Sequence, residues 1–120
     1  MLDKAREHLT SAELLHQHGQ YRDAVSRAYY TSFSAMYALV GEPPRGTWEH
    51  PGLRGMFVQQ LGAHGVAVDA CRRLRRRIRL LHDARRDADY TTLAIDVTIS
   101  QEALAIAREV IEMVRRYTQL

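Results

Sequence analysis

Six arginines fall within the eight residues 72–79 (RRLRRRIR), and Arg85 and Arg86 follow soon after. A guanidinium holds a phosphate through paired N–H donors and does not lose its charge. At helical spacing Arg72, Arg75 or Arg76, Arg79, His82 and Arg86 form one line, and such a row suits a polyanion such as RNA. The bland alternative is a solvated face offset by acids elsewhere. His82 adds a ring that titrates near neutral pH. An imidazole and a guanidinium could together cleave RNA. The neutral ring would take the proton of a ribose 2′-hydroxyl, and the guanidinium would stabilise charge on the phosphate oxygens. Arg77 stands five residues before His82, a turn of about 140° on a straight helix, so these two do not converge unaided.

The same segment, DACRRLRRRIRLLHDARRDADY, carries a second line. Val68, Cys71, Leu74, Ile78 and Leu81 read as an inward seam. Continued by three or four residues, the seam arrives at Arg85, then Ala88 and Asp89. A charge on the core side must be paired, hydrated or placed in a cleft. Asp89 is four residues from Arg85, so the two can pair on one helical face, and Tyr90 ends the run.

The elements that must position these groups are helical. Tyr21–Val40 is apolar on two faces: Val25, Ala28, Ser32, Ala35 or Met36 and Leu39 on one, Tyr30, Phe33, Tyr37 and Val40 on the other. That is the pattern of a central helix, and its four tyrosines call for polar partners. Before it, Leu2 to Gly19 reads as a helix stopped by glycine, and Gly41 ends the central one. Glu42–Pro51 is a loop, with Pro43, Pro44 and Gly46 against regular helix. Its Trp48 is expected to fold back on the core, and its His50 to sit at the surface or near a helix start, with a functional role as the alternative. Leu53–Gly65 is a shorter helix. Asp69 is placed to cap the next, which runs to about Asp87. Tyr90–Ile99 is rich in β-branched residues and reads as an extended connection, since no second strand exists to pair with it. Ser100 then caps a last helix, Gln101–Tyr117. The expected architecture is an all-α, up-down bundle of four long helices plus a short fifth.

A chain of 120 residues suffices for one core, so residues 1–120 are read as a single domain. No apolar run approaches the roughly 18 residues of a membrane span, and the acidic, amphipathic start does not look like a secretory signal. The lone Cys71 supplies neither a disulfide framework nor a metal set, so no metal is expected. These features fit a cytoplasmic protein. The net charge of +3 is uneven: eight of seventeen Lys and Arg lie between Arg72 and Arg86.

Four stretches, AVSRAYYTSFSAMYAL, WEHPGL, RRDADY and SQEALAIAREVIEMV, resemble in order the HEPN domains, above all the small stand-alone prokaryotic ones. The resemblance implies a helical bundle that forms a homodimer. It implies a small nucleotidyltransferase as partner, often within a toxin–antitoxin pair, and RNA or a nucleotide as ligand. Many members are ribonucleases that need no metal or other cofactor and carry an R-x(4–6)-H motif assembled across the dimer. Arg85, with Asp89 and Tyr90, matches the R-x-x-A-D-Y run and the position of that motif's arginine. Tyr90 stands where active members have histidine. Either His82 serves from a shifted position or the catalytic histidine is absent, in which case Arg85, Asp89 and Tyr90 form a structural network against Tyr29 or Tyr30. The candidate catalytic set is thus Arg85, His82, Tyr90 and Asp89. The candidate nucleic-acid face is Arg72, Arg75, Arg76, Arg79 and Arg86.

Overall fold

A computed structural model describes residues 1–118. It consists of five helices: α1 (Leu2–Gln17), α2 (Tyr21–Val40), α3 (His50–Ala63), α4 (Val68–Tyr90) and α5 (Val97–Thr118). No strand occurs among the described residues. The architecture is the all-helical bundle expected, with α3 the shortest member.

The helix α2 touches all four others. Small residues on several of its faces allow this: Ala24, Ala28, Ser32, Ser34 and Ala35 are all buried. The hydroxyls of Thr31 and Ser32 would be costly in that interior if unpaired. They donate instead to carbonyls of their own helix, Arg27 O at 2.9 Å and Tyr29 O at 2.8 Å. The joint between α1 and α2 turns on Gly19, whose φ of +75° a side chain would strain. Around it Gln20 N–H reaches back to Leu15 O at 2.8 Å, which closes the helix end. Trp48 folds back as anticipated, its indole N–H donating to Gly41 O at 2.7 Å.

Helix boundaries depart from the sequence reading in three places. First, α3 begins at His50 rather than Leu53, because Pro51 needs no amide partner in a first turn. Second, α4 continues to Tyr90, past Asp87, and Asp69 lies inside its first turn without acting as the cap. Val68, read as the start of the inward seam, is exposed there. Third, α5 begins at Val97. Asp96, not Ser100, caps it: its Oδ1 accepts from Ile99 N–H at 2.9 Å. A capping carboxylate thus overrides the strand preference of Val97, Thr98 and Ile99. Ser100 is buried one turn inside, and its hydroxyl meets His16 Nδ1 at 2.7 Å.

The extended link is only Thr91–Asp96, and Arg22 of α2 holds it. Its guanidinium donates to the carbonyls of Asp87 at 3.1 Å, Ala88 at 2.5 Å and Thr91 at 3.1 Å, and also to Leu93 O. The last carbonyls of a helix have no partner of their own, so one cation here both caps α4 and ties down the chain that follows.

Candidate functional site

The seam of α4 does carry a charge inward. Cys71, Leu74, Ile78, Leu81 and Ala88 are buried, and the Arg85 side chain between them is only 12% exposed. Three tyrosine rings surround its guanidinium, Tyr29 at 5.3 Å and Tyr30 and Tyr90 at 5.4 Å each. Nη2 donates to the Tyr30 hydroxyl at 2.8 Å. Nε lies 2.9 Å from Asp89 Oδ2, yet its N–H is not aimed at that oxygen and makes no hydrogen bond. Asp89 therefore supplies charge without a directional bond. Burial works against the Arg85 cation. The Tyr30 hydrogen bond, with Tyr30, Asp89 and Tyr90 nearby, more than offsets this, so its pKa rises above the ordinary value.

Two imidazoles complete the cluster. His82 does not share the outward line of arginines. Its side chain is 18% exposed, and its ring lies 5.5 Å from that of Tyr29 and 5.2 Å from that of His50. His50 sits at the first position of α3, where it meets Tyr29 at 5.3 Å and Phe33 at 5.3 Å between ring centres. Its Nδ1 pairs with the buried Tyr29 hydroxyl. Burial pushes the Tyr29 phenol up, although Arg85 opposes the shift, so the phenol keeps its proton. A buried hydroxyl proton left without an acceptor costs about 1–3 kcal/mol. Tyr29 therefore donates to Nδ1, which leaves the neutral His50 with its proton on Nε2.

Both imidazoles are held below their ordinary pKa. For His50, burial acts first, then Arg85 and Arg54, with Glu49 opposing. For His82, burial is again first, followed by His50, Arg54 and Arg85, with Asp83 opposing. Neutral rings pressed by two cations describe an electropositive site.

The remaining sequence candidates fall into two groups. Tyr90 is 73% exposed and covers the outer face of Arg85. It also lines an open hollow of about 490 Å³ with Asp83, Arg86, Asp87 and Thr91. Arg72, Arg75, Arg76, Arg79 and Arg86 are all exposed, as a polyanion face requires. Two neighbours in that row are occupied. Arg73 and Arg77 pair with Glu109 at 3.0 and 2.9 Å, and Arg77 also with Glu102 at 2.8 Å. This turns Arg77 towards α5, so it does not meet His82.

From the sequence His50 is expected at the surface or a helix start, a functional role being the alternative, and Arg54 is not singled out. The available signal was their spacing of four, with Leu53 and Phe57 alongside on the buried face of α3.

A family model for the HEPN domain matches residues 1–117. A Methanocaldococcus jannaschii protein named "Putative toxin MJ0605" is 32% identical over 109 residues, covering 91% of this chain and 77% of that protein. The Pyrococcus horikoshii protein named "UPF0332 protein PH1297" is 46% identical over 54 residues, covering 42% of this chain and 36% of that protein.

Proposed function

The chain belongs to the HEPN domain family, and from that premise we propose that it is a toxin-like protein that acts on RNA, paired with a small nucleotidyltransferase. The observation that carries this reading is the enclosed Arg85 guanidinium beside His82, reached across a ring-lined and electropositive surface.

In this reading Arg85 and the neighbouring N–H donors hold the scissile phosphate. His82, neutral because its pKa is depressed, takes the proton from the ribose 2′-hydroxyl. The 2′-oxygen bonds to phosphorus, and the bond from phosphorus to the 5′-oxygen breaks. The departing 5′-oxygen takes a proton from the imidazolium so formed or from water. The exposed Tyr90 ring offers a base a stacking surface, and Asp89 keeps Arg85 charged and in place. The exposed Arg72, Arg75, Arg76, Arg79 and Arg86 hold flanking phosphates. The toxin name of the Methanocaldococcus relative supports a paired system with an antitoxin.

A homodimer belongs to the same proposal. Leu80, Val97 and Ile99 are exposed, and Leu80 and Ile99 border an apolar hollow of about 300 Å³ between α4 and α5. A cytoplasmic setting follows from an RNA substrate. Among the described residues no helix is long and apolar enough to cross a membrane.

The test is cleavage of single-stranded RNA by purified protein in chelator, with Arg85→Ala and His82→Ala as controls. The parent is expected to cut and both variants to fail. Intact RNA with the parent, or cutting by both variants at the parental rate, would overturn the ribonuclease reading. Salt-sensitive binding without cutting would leave a non-catalytic module in which the Arg85–Tyr30 network is structural.

A further inference from the structure

Arg54 stands out among the cations of this molecule. It is half-buried on α3, one turn beyond His50, and makes no ion pair or hydrogen bond among the described residues. Its charge nevertheless reaches Tyr29, His50 and His82. A half-buried guanidinium with no carboxylate of its own leaves its N–H donors unpaired, within electrostatic reach of two neutral imidazoles. The nearby acids do not correct this. Asp89 is engaged by Arg85, Glu49 is exposed at the helix start, and Asp83 is mostly exposed beside His82.

We propose that His50 and Arg54 of α3, together with Arg85 of α4, form a binding site for a single phosphate group. The Tyr29 phenol occupies His50 Nδ1, so the ring offers Nε2–H as a donor while remaining neutral. Arg54 supplies a free planar fork, and Arg85, with Nη2 on the Tyr30 hydroxyl and Nε beside Asp89, adds a fixed positive charge. Two donors and two cations select an anion over a cation or a neutral amide. The first turn of α3 adds the positive end of a helix axis beneath His50. Tyr29 is a positioning residue, because it fixes which nitrogen of His50 carries the proton. The ligand class is a phosphate ester, either a phosphodiester of RNA or the phosphate of a nucleotide. The site rests on the reading of Arg85 as a phosphate-facing group, but it does not require that RNA be cut.

The experiment follows the histidine ring signals of the full chain by NMR at neutral pH, while inorganic phosphate is added at fixed ionic strength against chloride. The expected result is a saturable shift of the His50 ring at millimolar phosphate that chloride does not produce. Arg54→Gln should weaken the binding by about ten- to a hundredfold, the effect of losing one charged hydrogen bond. His50→Asn should do the same with an unchanged circular dichroism spectrum, whereas Arg108→Gln on the α1–α5 surface should bind as the parent does. Competition by an RNA oligomer without terminal phosphates would identify the backbone as the source, and competition by a nucleoside monophosphate alone a free nucleotide. Unmoved ring signals, an equal response to chloride, or parental binding by Arg54→Gln would overturn the site. Phosphate binding without RNA cleavage would remove the ribonuclease reading and leave the site standing. RNA cleavage at the parental rate by both α3 variants, with unmoved rings, would do the reverse.

Discussion

The two halves of α4 use the same residue type in opposite ways. In the first half the arginines point outward, and the two held in place meet carboxylates of α5. In the second half Arg85 points inward, and aromatic rings rather than carboxylates form most of its surroundings. Charges in water are screened and interchangeable, so the outer row sets affinity by number. A charge enclosed by rings acts in a lower dielectric, so its position and geometry matter individually. The outer row is therefore read as a surface that gathers a polyanion, and the inner arginine as a group that acts on one phosphate.

Removing Arg85 should break this comparison most sharply. Arg85→Ala is expected to lower RNA cleavage by about a hundred- to a thousandfold. It should also lower unfolding free energy by about 2 kcal/mol, because Asp89 and Tyr30 lose their partner. Arg85→Lys separates charge from shape: it restores stability in part but not the paired donors. Cleavage kinetics and urea unfolding on the same preparations check both statements. Equal effects of Arg85→Ala and Arg76→Ala on either readout would erase the distinction between the halves.

The row responds differently. Combining Arg75→Ser, Arg76→Ser and Arg79→Ser should leave stability within about 0.5 kcal/mol. The slope of log affinity for single-stranded RNA against log salt should become shallower by about 2, the contribution of three phosphate contacts. An unchanged slope would return the row to a plain solvated face.

The inward direction of Arg85 was legible because a helical seam extends by simple counting from Cys71, Leu74, Ile78 and Leu81. The central place of α2 was legible in the same way, from two apolar stripes on one segment. The phase of His82 was not. Periodicity places a residue on a face of its own helix, but whether that face meets a neighbour depends on where the other helices lie. His82 borders the inward face and meets Tyr29 of α2 and His50 of α3. His50 was hidden by a helix start set three residues late, at Leu53, which left it in a loop. The spacing of four from His50 places Arg54 on the same face of α3 but does not give its meaning, which lies in the carboxylate it lacks and in the rings across the gap. The start of α5 was missed because one capping bond from Asp96 outweighs a run of β-branched residues.

Acidity should weaken the inner half before it touches the outer one. His8, His50 and His82 are all held below 6.5, burial being the first cause for each. The unfolded chain therefore binds more protons than the folded one as pH falls through 6.5, and stability must fall with it. It is fully present above that value and is lost towards the lower folded values. Urea midpoints at a series of pH values down to 5.5, above the carboxylate range, should decline steadily. His82→Phe should flatten the decline, and a midpoint rising towards acid would contradict the burial of these rings.

The smallest expected effect lies at Glu109, where the outer half is tied to α5. Its carboxylate restrains both Arg73 and Arg77, and the Arg73 side chain is 60% exposed. The exposed Arg73 pair contributes about 0.2–1 kcal/mol, while Arg77 and Glu109, 21% and 28% exposed, are better shielded and Arg77 keeps Glu102, so Glu109→Gln should lower stability by about 0.5–1 kcal/mol at low salt and by less at high salt. Binding should move the other way. The substitution removes a negative charge from the row and releases guanidiniums for phosphate, so the salt slope of RNA binding should steepen by up to about 1.4. No such exchange is available at Arg85, where removing Asp89 takes away the ion that offsets a buried cation. Asp89→Asn should therefore weaken both folding and RNA cleavage. A Glu109→Gln variant that loses RNA affinity would mean that the row is held in shape by α5 rather than held back by it.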